Sequence, residues 1–297
     1  NWLQRFYGHL PAREFTPKKL KELQEILIRQ PLRRRKAEGK TLSRSHINKI
    51  VGAIRQLYKW AVGEELVEET SHRALAAVPD LAAGRSKARE TEDVEPVAWE
   101  WVEATLPHAS SVVAAMIRVQ YLACMRPGEA VGITAADIDM SGDVWLYEPK
   151  RHKNAHRRHR RAIAIGPQAQ AILRQFLKPS LDAPFFSPRE AQAERFERLR
   201  ASRKSKVQPS QQSRKRAKPK RQPSDRYTTN SYRRAVLYAI AAANRARAKQ
   251  RAELVESGET EEAALQRLPE IPAWHPNQLR HSRATDIRRT YDSLEAA

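Results

Sequence analysis

The spacing of apolar residues constrains the fold of this chain more than any other feature of its sequence. Apolar residues recur at three- and four-residue steps over most of the chain, most clearly across residues 43–62, as on one face of a helix. The period changes to two around residues 144–147 and 162–165, which we predict to be short strands. The sequence therefore predicts a mainly α fold with a small β-sheet, an α+β class.

Prolines and capping residues indicate where the helices begin. Thr16 can cap a helix that starts at Pro17, and Pro127 suits the first turn of a short helix. Pro167 follows the second strand and starts another helix, and Pro276 opens the last one. Further helices are predicted over residues 97–106, 110–124 and from 229 onward.

Composition divides the chain into two domains. Residues 1–80 form a helical domain, residues 81–95 have little apolar periodicity and are predicted to be a linker, and residues 96–297 form the second domain. A basic, low-complexity insertion interrupts the second domain at about residues 187–226. Within it, residues 201–222 hold nine Lys or Arg and no acidic residue, and we predict a disordered or flexible segment there.

The charge of the chain favours a polyanion as its partner. Lysine and arginine number 55, aspartate and glutamate 34, and the net charge is +21. Neutralising phosphates releases counterions, so this excess favours nucleic acid, although a solvated basic surface is the simpler alternative. The single cysteine, Cys124, excludes an internal disulfide and a multi-cysteine metal site. No stretch is long and apolar enough for a membrane span, and we expect a soluble cytoplasmic protein.

Two arginine motifs that lie 154 residues apart (280 − 126) carry the strongest functional signal. Arg126 lies in Ala-Cys-Met-Arg-Pro-Gly-Glu, residues 123–129, and Arg280 lies in Asn-Gln-Leu-Arg-His, residues 277–281. Between them, residues 150–161 hold seven basic residues, Lys153 among them. Guanidinium groups bind phosphate oxygens bidentately and stay protonated, so two arginines and a lysine on one phosphate would suit phosphoryl transfer on nucleic acid.

Two sets of cations are candidates for contacts with the DNA backbone. The polar sides of the helix predicted at residues 43–62 carry the first set: Arg44, Lys49, Arg55 and Lys59. The basic segment between the two strands carries the second set: Lys150, Arg151, Arg157 and Arg158. Either set could also be ordinary solvated surface, and the pattern alone does not decide between the two interpretations.

In this order and on these predicted elements, the motifs resemble those of the tyrosine recombinases, the phage integrase family. The likeness covers nearly the whole chain and implies a SAM-like helical core-binding domain that clamps DNA, followed by a catalytic domain of the DNA breaking-rejoining fold. In this family a tyrosine attacks a DNA phosphodiester, forms a 3′-phosphotyrosine and releases a 5′-hydroxyl. The resemblance implies no metal, nucleotide or redox cofactor, and it implies a homotetramer assembled on double-stranded DNA.

The resemblance also implies roles for individual residues. Arg126 and Arg280 would bind the nonbridging oxygens of the phosphate in the transition state. Lys153 would be the general acid for the leaving 5′-oxygen, with Lys150 as the alternative in the same basic segment. Glu129 resembles the acidic residue that orients the active-site arginine.

Two departures from the family pattern concern the second motif and the nucleophile. Asn277 stands where the family has a histidine, and it can donate a hydrogen bond to a phosphate oxygen but cannot transfer a proton. His281, which follows Arg280, is expected to have a supporting role. His275 is a poor substitute for the histidine missing at position 277, because it points elsewhere on the helix. Tyr291 follows Arg280 by eleven residues (291 − 280), a shorter sequence spacing than the family has between this arginine and its tyrosine, and it lies in the same predicted helix, so we predict that it is a packing residue.

These departures lead us to expect a fragment of a bacterial or phage-encoded recombinase, incomplete at both ends, that lacks its nucleophile. By itself this fragment is expected to be inactive, and monomeric in free solution. A DNA-binding or regulatory relative without catalysis is one alternative, because it would also lack the tyrosine and the histidine. A type IB topoisomerase-like enzyme shares the chemistry and is the other alternative.

Overall fold

Helices make up most of the described backbone, in agreement with the mainly α prediction. The computed structural model describes residues 2–31, 39–150, 160–209 and 222–291. The chain divides into two compact units, Asn1–Asp93 and Val94–Ala297, and each unit has its own apolar core. Within this described part, none of the helices is both long enough and apolar enough to cross a membrane.

The first unit is built mainly from helices. They are α1 (Trp2–Tyr7), α2 (Pro17–Ile28), α3 (Arg44–Gly63) and α4 (Glu69–Ala76). The start of α2 at Pro17 and the extent of α3 confirm the helices predicted there. Each helix turns an apolar stripe inward, because burying one leucine or isoleucine side chain contributes about 2 kcal/mol. The fully buried residues of α2 and α3 are Leu20, Leu23, Leu27, Ile47 and Val51.

The segment predicted as a linker, residues 81–95, contacts the first unit over much of its length. The Asn48 side chain and the Leu81 backbone exchange two hydrogen bonds of 2.9 and 3.0 Å. Farther along, the Arg89 guanidinium donates to the carbonyl of Thr41 at 3.0 Å. These polar contacts, together with Ala88 in the first unit's core and Leu81 packed against that core, hold the segment. The division between the two units falls after Asp93.

The second unit surrounds one central helix. Its helices are α5 (Trp99–Thr105), α6 (Ser111–Leu122), α7 (Pro127–Gly132), α8 (Pro167–Arg174), α9 (Pro188–Ala201), α10 (Thr229–Glu256), α11 (Glu261–Arg267) and α12 (Pro276–Tyr291). α6 is buried on most sides, since valine, methionine and isoleucine fill consecutive positions. Four of these helices, α7, α8, α9 and α12, begin at a proline, whose fixed φ suits the first helical turn.

A three-stranded antiparallel sheet lies between α7 and α8 in the chain. Its strands are β1 (Ile138–Asp139), β2 (Trp145–Tyr147) and β3 (Ile163–Ile165), in the order β1-β2-β3. Trp145 pairs with Ile165, and Tyr147 pairs with Ile163, so that all four side chains share the buried face. The two predicted strands are therefore confirmed. β1 was missed because two residues are too few to display a period.

The region predicted as a basic insertion, about residues 187–226, contains the whole of α9. Part of the stretch predicted to be flexible, residues 210–221, lies outside the described residues. After this region, α10 spans 28 residues and continues well past the apolar stretch that predicted it. Its second half is rich in alanine and arginine, which favour helix, and Asn244 exchanges two hydrogen bonds with the backbone of Ile271.

Candidate active site

The loop after α6 fixes the position of the first arginine. The chain reverses at Cys124, whose φ of 49° lies in the left-handed region. The backbone N–H of Met125 then donates to the carbonyl of Gln120 at 3.0 Å, which closes the turn. Arg126 follows as the N-cap of α7, with Pro127 in the first helical position. This geometry sets Arg126 at the junction of two helices, and its side chain remains 42% exposed.

A buried carboxylate holds the Arg126 side chain. Glu129 is 3% exposed, and it accepts hydrogen bonds from the Arg126 backbone N–H at 2.7 Å and from Arg126 Nη1 at 3.0 Å. The same carboxylate also accepts from Arg161, through Nε and through Nη2, the latter at 3.1 Å. Glu129 is therefore shared between two guanidinium groups, and this arrangement agrees with the orienting role that the resemblance implies for it.

The carboxylate of Glu129 stays ionised because its partners outweigh its burial. Burial by itself raises the pKa of Glu129, since a charge in a low-dielectric site loses hydration. The hydrogen bonds from Arg161 and from the Arg126 backbone, together with the charge of Arg161, hold that pKa below its usual value. One negative charge thus faces two positive charges, which leaves this part of the site with a net positive charge.

Arg161 was not singled out by the sequence analysis, although a signal for it exists. It stood among the seven basic residues of positions 150–161. Side chains two residues apart along extended chain lie on the same side, so Arg161 shares the face of Ile163 and Ile165, which is buried. A cation on a buried face needs an acidic partner, and Glu129 is that partner.

The second arginine reaches the loop that carries the first. Arg280 lies on α12, and its Nη1 donates to the carbonyl of Cys124 at 2.7 Å. In return, the Cys124 thiol lies 3.7 Å from the carbonyl of Arg280. Cys124 precedes Arg126 by two residues, so this contact brings two motifs together that are 156 residues apart in the chain, counted from Cys124 to Arg280.

A buried amide supports the same junction. Gln120 Nε2 donates to the carbonyl of Pro276 at 2.7 Å, at the start of α12, and to the carbonyl of Met125 at 3.2 Å. The Tyr232 hydroxyl, from α10, donates to Gln120 Oε1 at 2.8 Å. One side chain therefore joins α6, the Arg126 loop, α10 and α12, and Gln120 is another residue that the sequence analysis passed over.

The polar residues near Arg280 lie on the outer side of α12. Asn277 and His281 are exposed, one helical turn apart, with Asn277 Nδ2 3.4 Å from His281 Nε2. His275 precedes α12 and is half-buried. Burial, together with the charges of Arg233 and His281, lowers the pKa of His275, so its imidazole is neutral at pH 7. These groups offer hydrogen bonds to an anion beside Arg280.

The basic segment between β2 and β3 is described only at its ends. Lys153, Arg151, Arg157 and Arg158 lie outside the described residues. Lys150 forms an ion pair of 2.9 Å with Asp137 and a longer one of 3.8 Å with Asp182. The hydrogen bond with Asp137 raises the pKa of Lys150, which makes its ammonium a weaker acid.

The cations predicted for DNA contact in the first unit fall into two pairs. Arg44 forms an ion pair with Glu90 at 2.6 Å, and Arg55 forms one with Asp80 at 2.9 Å. Lys49 and Lys59 are exposed on α3. Both acidic partners come from the segment that follows α4, and the helical pattern of α3 alone gave no sign of them.

Tyr121, Tyr147 and Tyr232 use their hydroxyls in hydrogen bonds to groups other than the guanidinium groups of Arg126 and Arg280. Burial and then the hydrogen bond with Asp286 raise the pKa of Tyr121 to about 12. Tyr147 donates to the carbonyl of Glu129 at 3.1 Å and is buried in the sheet. Tyr291 is 68% exposed, so the prediction that it is a packing residue was wrong. Eleven residues of helix separate it from Arg280 by about 16 Å along the axis.

The site is suited to an anion. It combines guanidinium groups, amides and imidazoles, and its one buried carboxylate is already neutralised by two arginines. Across the residues that the structure describes, no group of three or more His, Cys, Asp or Glu is arranged to hold a metal ion. Arginine is the side chain best fitted to grip a phosphate through two oxygens at once.

No protein-family model matches this chain, and no curated protein sequence matches it. Solved structures do. A lambda integrase (residues 75–356) dimer bound to a COC′ core site has a TM-score of 0.56 at 12% identity, over 97% of this chain and 76% of that chain.

Two further structures are similar. The Tn1549 transposon integrase (residues 82–397), in complex with circular intermediate DNA, has a TM-score of 0.51 at 14% identity, over 99% of this chain and 80% of that one. The XerH site-specific recombinase, bound to palindromic difH substrate, has a TM-score of 0.51 at 13% identity, over 99% of this chain and 68% of that one. The chain thus has the fold of these integrases and of this site-specific recombinase.

Proposed function

We propose that this chain is the body of a tyrosine-type site-specific recombinase, which cuts and rejoins double-stranded DNA. The observation that carries the proposal is the contact between Arg280 and the carbonyl of Cys124, two residues before Arg126. Because of it, two guanidinium groups from distant parts of the chain are available to one phosphate. The shared fold with DNA-bound integrases and recombinases supports the same function.

The reaction is a transesterification at phosphorus. A tyrosine oxygen attacks the phosphodiester, a P–O bond to the tyrosine forms, and the bond to the 5′-oxygen breaks. The leaving 5′-oxygen takes up a proton, and rejoining runs the same steps in reverse with a new 5′-hydroxyl. Arg126 and Arg280 bind the nonbridging oxygens, where negative charge grows in the pentacoordinate transition state. No bond to a cofactor is made or broken in this scheme.

The neighbouring residues complete the phosphate site. Glu129 holds Arg126 through two hydrogen bonds, so that the remaining donors of that guanidinium are available to the DNA. Asn277 supplies a neutral hydrogen bond where the family has a histidine. Lys153 protonates the leaving oxygen, and the raised pKa of Lys150 favours Lys153 over Lys150 for that role.

The nucleophile, in this proposal, is a tyrosine other than Tyr121, Tyr147 and Tyr232. The support is the surroundings of these three, which use their hydroxyls in internal hydrogen bonds. Burial raises the pKa of each of the three, whereas a nucleophile benefits from a lowered one. The complete enzyme is proposed to act as a homotetramer on two duplexes and to be encoded by a bacterium or phage.

A DNA-binding protein without catalysis is the second candidate. Two observations favour it: Asn277 cannot transfer a proton, and Tyr291 is too far along α12 to reach the phosphate held by Arg280. Such a protein would bind DNA through the same arginines. It differs from the recombinase only in forming no covalent bond.

A covalent-trapping experiment tests the proposal. The protein translated from the intact gene is mixed with nicked duplexes of randomised sequence, and adducts that resist detergent are isolated. We expect a 3′-phosphotyrosine adduct, with the modified tyrosine identified by mass spectrometry. Arg126→Gln and Arg280→Gln should each lower the rate of its formation by roughly a hundredfold or more, since each removes a transition-state donor. Glu256→Gln, at an exposed carboxylate at the end of α10, is the control.

The outcomes separate the two candidates. Tight DNA binding without any adduct would leave the DNA-binding protein as the function. An adduct whose rate is unchanged in both arginine variants would show that the proposed phosphate site is wrong. Loss of the adduct in the arginine variants alone, with normal DNA binding by the control, is the result that the recombinase proposal requires.

A further inference from the structure

Helix α9 and residues 202–209 form an arm that projects from the rest of the second unit. Helix α9 is anchored at its first half. Glu190 forms an ion pair of 2.7 Å with Lys178, and Glu194 accepts hydrogen bonds from the backbone and hydroxyl of Ser111 at 3.0 and 2.8 Å. Both acidic residues in the first half of α9, Glu190 and Glu194, therefore contact the rest of the unit.

The base of the arm is closed by a second set of contacts. Arg189, at the start of α9, forms an ion pair of 3.1 Å with Asp225, just before α10. Arg226 donates to the carbonyl of Asp182 at 2.8 Å. The chain therefore leaves and re-enters the unit at nearly the same place, and the arm has a fixed root.

Beyond the anchor, the arm is exposed on all sides. Every residue from 195 to 209 is exposed, including three large apolar residues, Phe196, Leu199 and Val207, at 49%, 53% and 37%. A helix end that packs against nothing gains no burial energy, and isolated helices of this length are marginal in water. The exposed half of α9 is therefore better explained by a binding partner than by the fold itself.

The charge of the exposed half identifies the partner. Residues 195–209 contain six cations and one acidic residue, Glu197. The cations are Arg195, Arg198, Arg200, Arg203, Lys204 and Lys206. Among the described residues, none of the six forms an ion pair, whereas Arg73, Lys249 and Arg267 elsewhere on the surface are each paired with a glutamate. Unpaired cations at this density favour a polyanion.

The position of the arm shows which DNA it can reach. Glu194 contacts the first residue of α6, and the Arg126 loop follows the last residue of the same helix. α6 has 12 residues, so the root of the arm and the phosphate site are about 18 Å apart along it. At 3.4 Å per base pair, this separation is roughly five base pairs. DNA bound near the root of the arm would therefore lie away from the phosphate that is cut.

We propose that the exposed half of α9 and residues 202–209 bind the phosphate backbone of DNA that flanks the site of strand cleavage. This inference rests on the proposed function and extends it with a second DNA-contact surface. The contact is with the backbone and independent of sequence, because cations at the end of an exposed helix meet phosphates before they meet base edges. It lengthens the stretch of DNA that one protomer covers.

Salt dependence of DNA binding tests the proposal. Binding of the 297-residue chain to a 40-base-pair duplex is measured between 50 and 300 mM NaCl, for wild type and for Arg195→Gln/Arg198→Gln/Arg200→Gln. These salt concentrations span roughly the range over which counterion release changes the affinity measurably. The slope of log affinity against log salt should fall by about 2 to 3, and affinity near 100 mM salt should fall at least about tenfold.

The control removes the same charge from cations that are already paired. Arg73→Gln/Lys249→Gln/Arg267→Gln lowers the net charge equally, and its slope should change by less than about one. Both triple variants alter exposed side chains only, so their thermal unfolding should match that of wild type. An equal loss of affinity in the two triples would show that net charge, not the arm, is responsible, and would overturn the proposal.

Photo-crosslinking gives an independent readout. With benzoylphenylalanine in place of Leu199, ultraviolet light should attach the protein to the duplex, whereas the same group in place of Leu265, 50% exposed on α11, should not. An unchanged salt slope and no crosslink at position 199, in a wild-type protein that binds DNA, would refute the arm and leave the proposed function standing. A Leu199 crosslink to another protein only would mean a protein partner instead. Absence of any DNA binding by wild type would refute the proposed function itself.

Discussion

Replacing Glu129 with glutamine tests the central electrostatic feature of the site. The carboxylate is 3% exposed and accepts four hydrogen bonds, two from Arg126 and two from Arg161. Glutamine can accept at its oxygen, but its NH₂ group faces donors, so about half of these bonds are lost. Removing one partner of a buried ion pair costs about 3–5 kcal/mol. Arg126 is 42% exposed and keeps part of its hydration, so we expect a loss of about 3 kcal/mol.

Urea denaturation followed by tryptophan fluorescence measures this loss. For a loss of about 3 kcal/mol, the unfolding midpoint of the second unit should fall by roughly 1 to 2 M urea. Glu197→Gln, on an exposed part of α9, is the matched control and should change stability by less than about 0.5 kcal/mol. A loss for Glu129→Gln no larger than that of the control would refute the reasoning, because it would mean that the carboxylate carries no buried ion pair.

The pH dependence of the stability difference between wild type and Glu129→Gln gives a further check. Because the pKa of Glu129 is lowered in the folded state, its stabilisation is fully present above the pKa of an unfolded glutamate, about 4.3. It is lost as the pH falls through the lowered folded-state value. The stability difference between wild type and Glu129→Gln should therefore be constant from about pH 5 to 8 and shrink below about pH 4. A difference that grows on acidification would contradict the sign of the shift.

Two other substitutions test the supports of the site. Gln120→Leu leaves the buried Tyr232 hydroxyl and two carbonyls without their partner, and we expect a loss of about 2–4 kcal/mol in urea denaturation; Gln175→Leu, on the surface, should cost less than about 0.5 kcal/mol. An equal effect of both would contradict the buried network. The pKa of Tyr121, about 12, exceeds that of an unfolded tyrosine, so its stabilisation is present below about pH 10 and lost between pH 10 and 12. Tyr121→Phe should therefore lose less stability than wild type over that interval, measured by denaturation at each pH, and an identical loss would count against the shift.

Proline was the most reliable local signal in the sequence. Helices begin at Pro17, Pro127, Pro167 and Pro276 because the fixed φ of proline suits the first turn and its missing N–H costs nothing there. Strand β1 gave no signal of its own, since two residues acquire extended structure only by pairing with β2. The order of the motifs along the chain suggested the resemblance to recombinases. The similarity to solved structures confirmed the fold.

The partners of charged residues were beyond what the sequence could predict. Arg44 and Arg55 looked like free cations on α3, but Glu90 and Asp80 reach them from chain that has no apolar pattern. Arg161 was one of seven similar residues, and only the buried face that it shares with β3 distinguishes it. Ion pairs depend on distances between segments far apart in sequence, whereas periodicity reports only neighbours within a few residues.

The most direct test of the account is a structure of the protein bound to duplex DNA. The claim is that Arg126 and Arg280 act on one phosphate, and the bound DNA would reveal where each guanidinium goes. We predict that both groups lie within hydrogen-bond distance, about 3 Å, of the nonbridging oxygens of a single phosphate. Guanidinium groups that contact different phosphates, or an Arg280 that keeps only its contact with Cys124, would contradict the account.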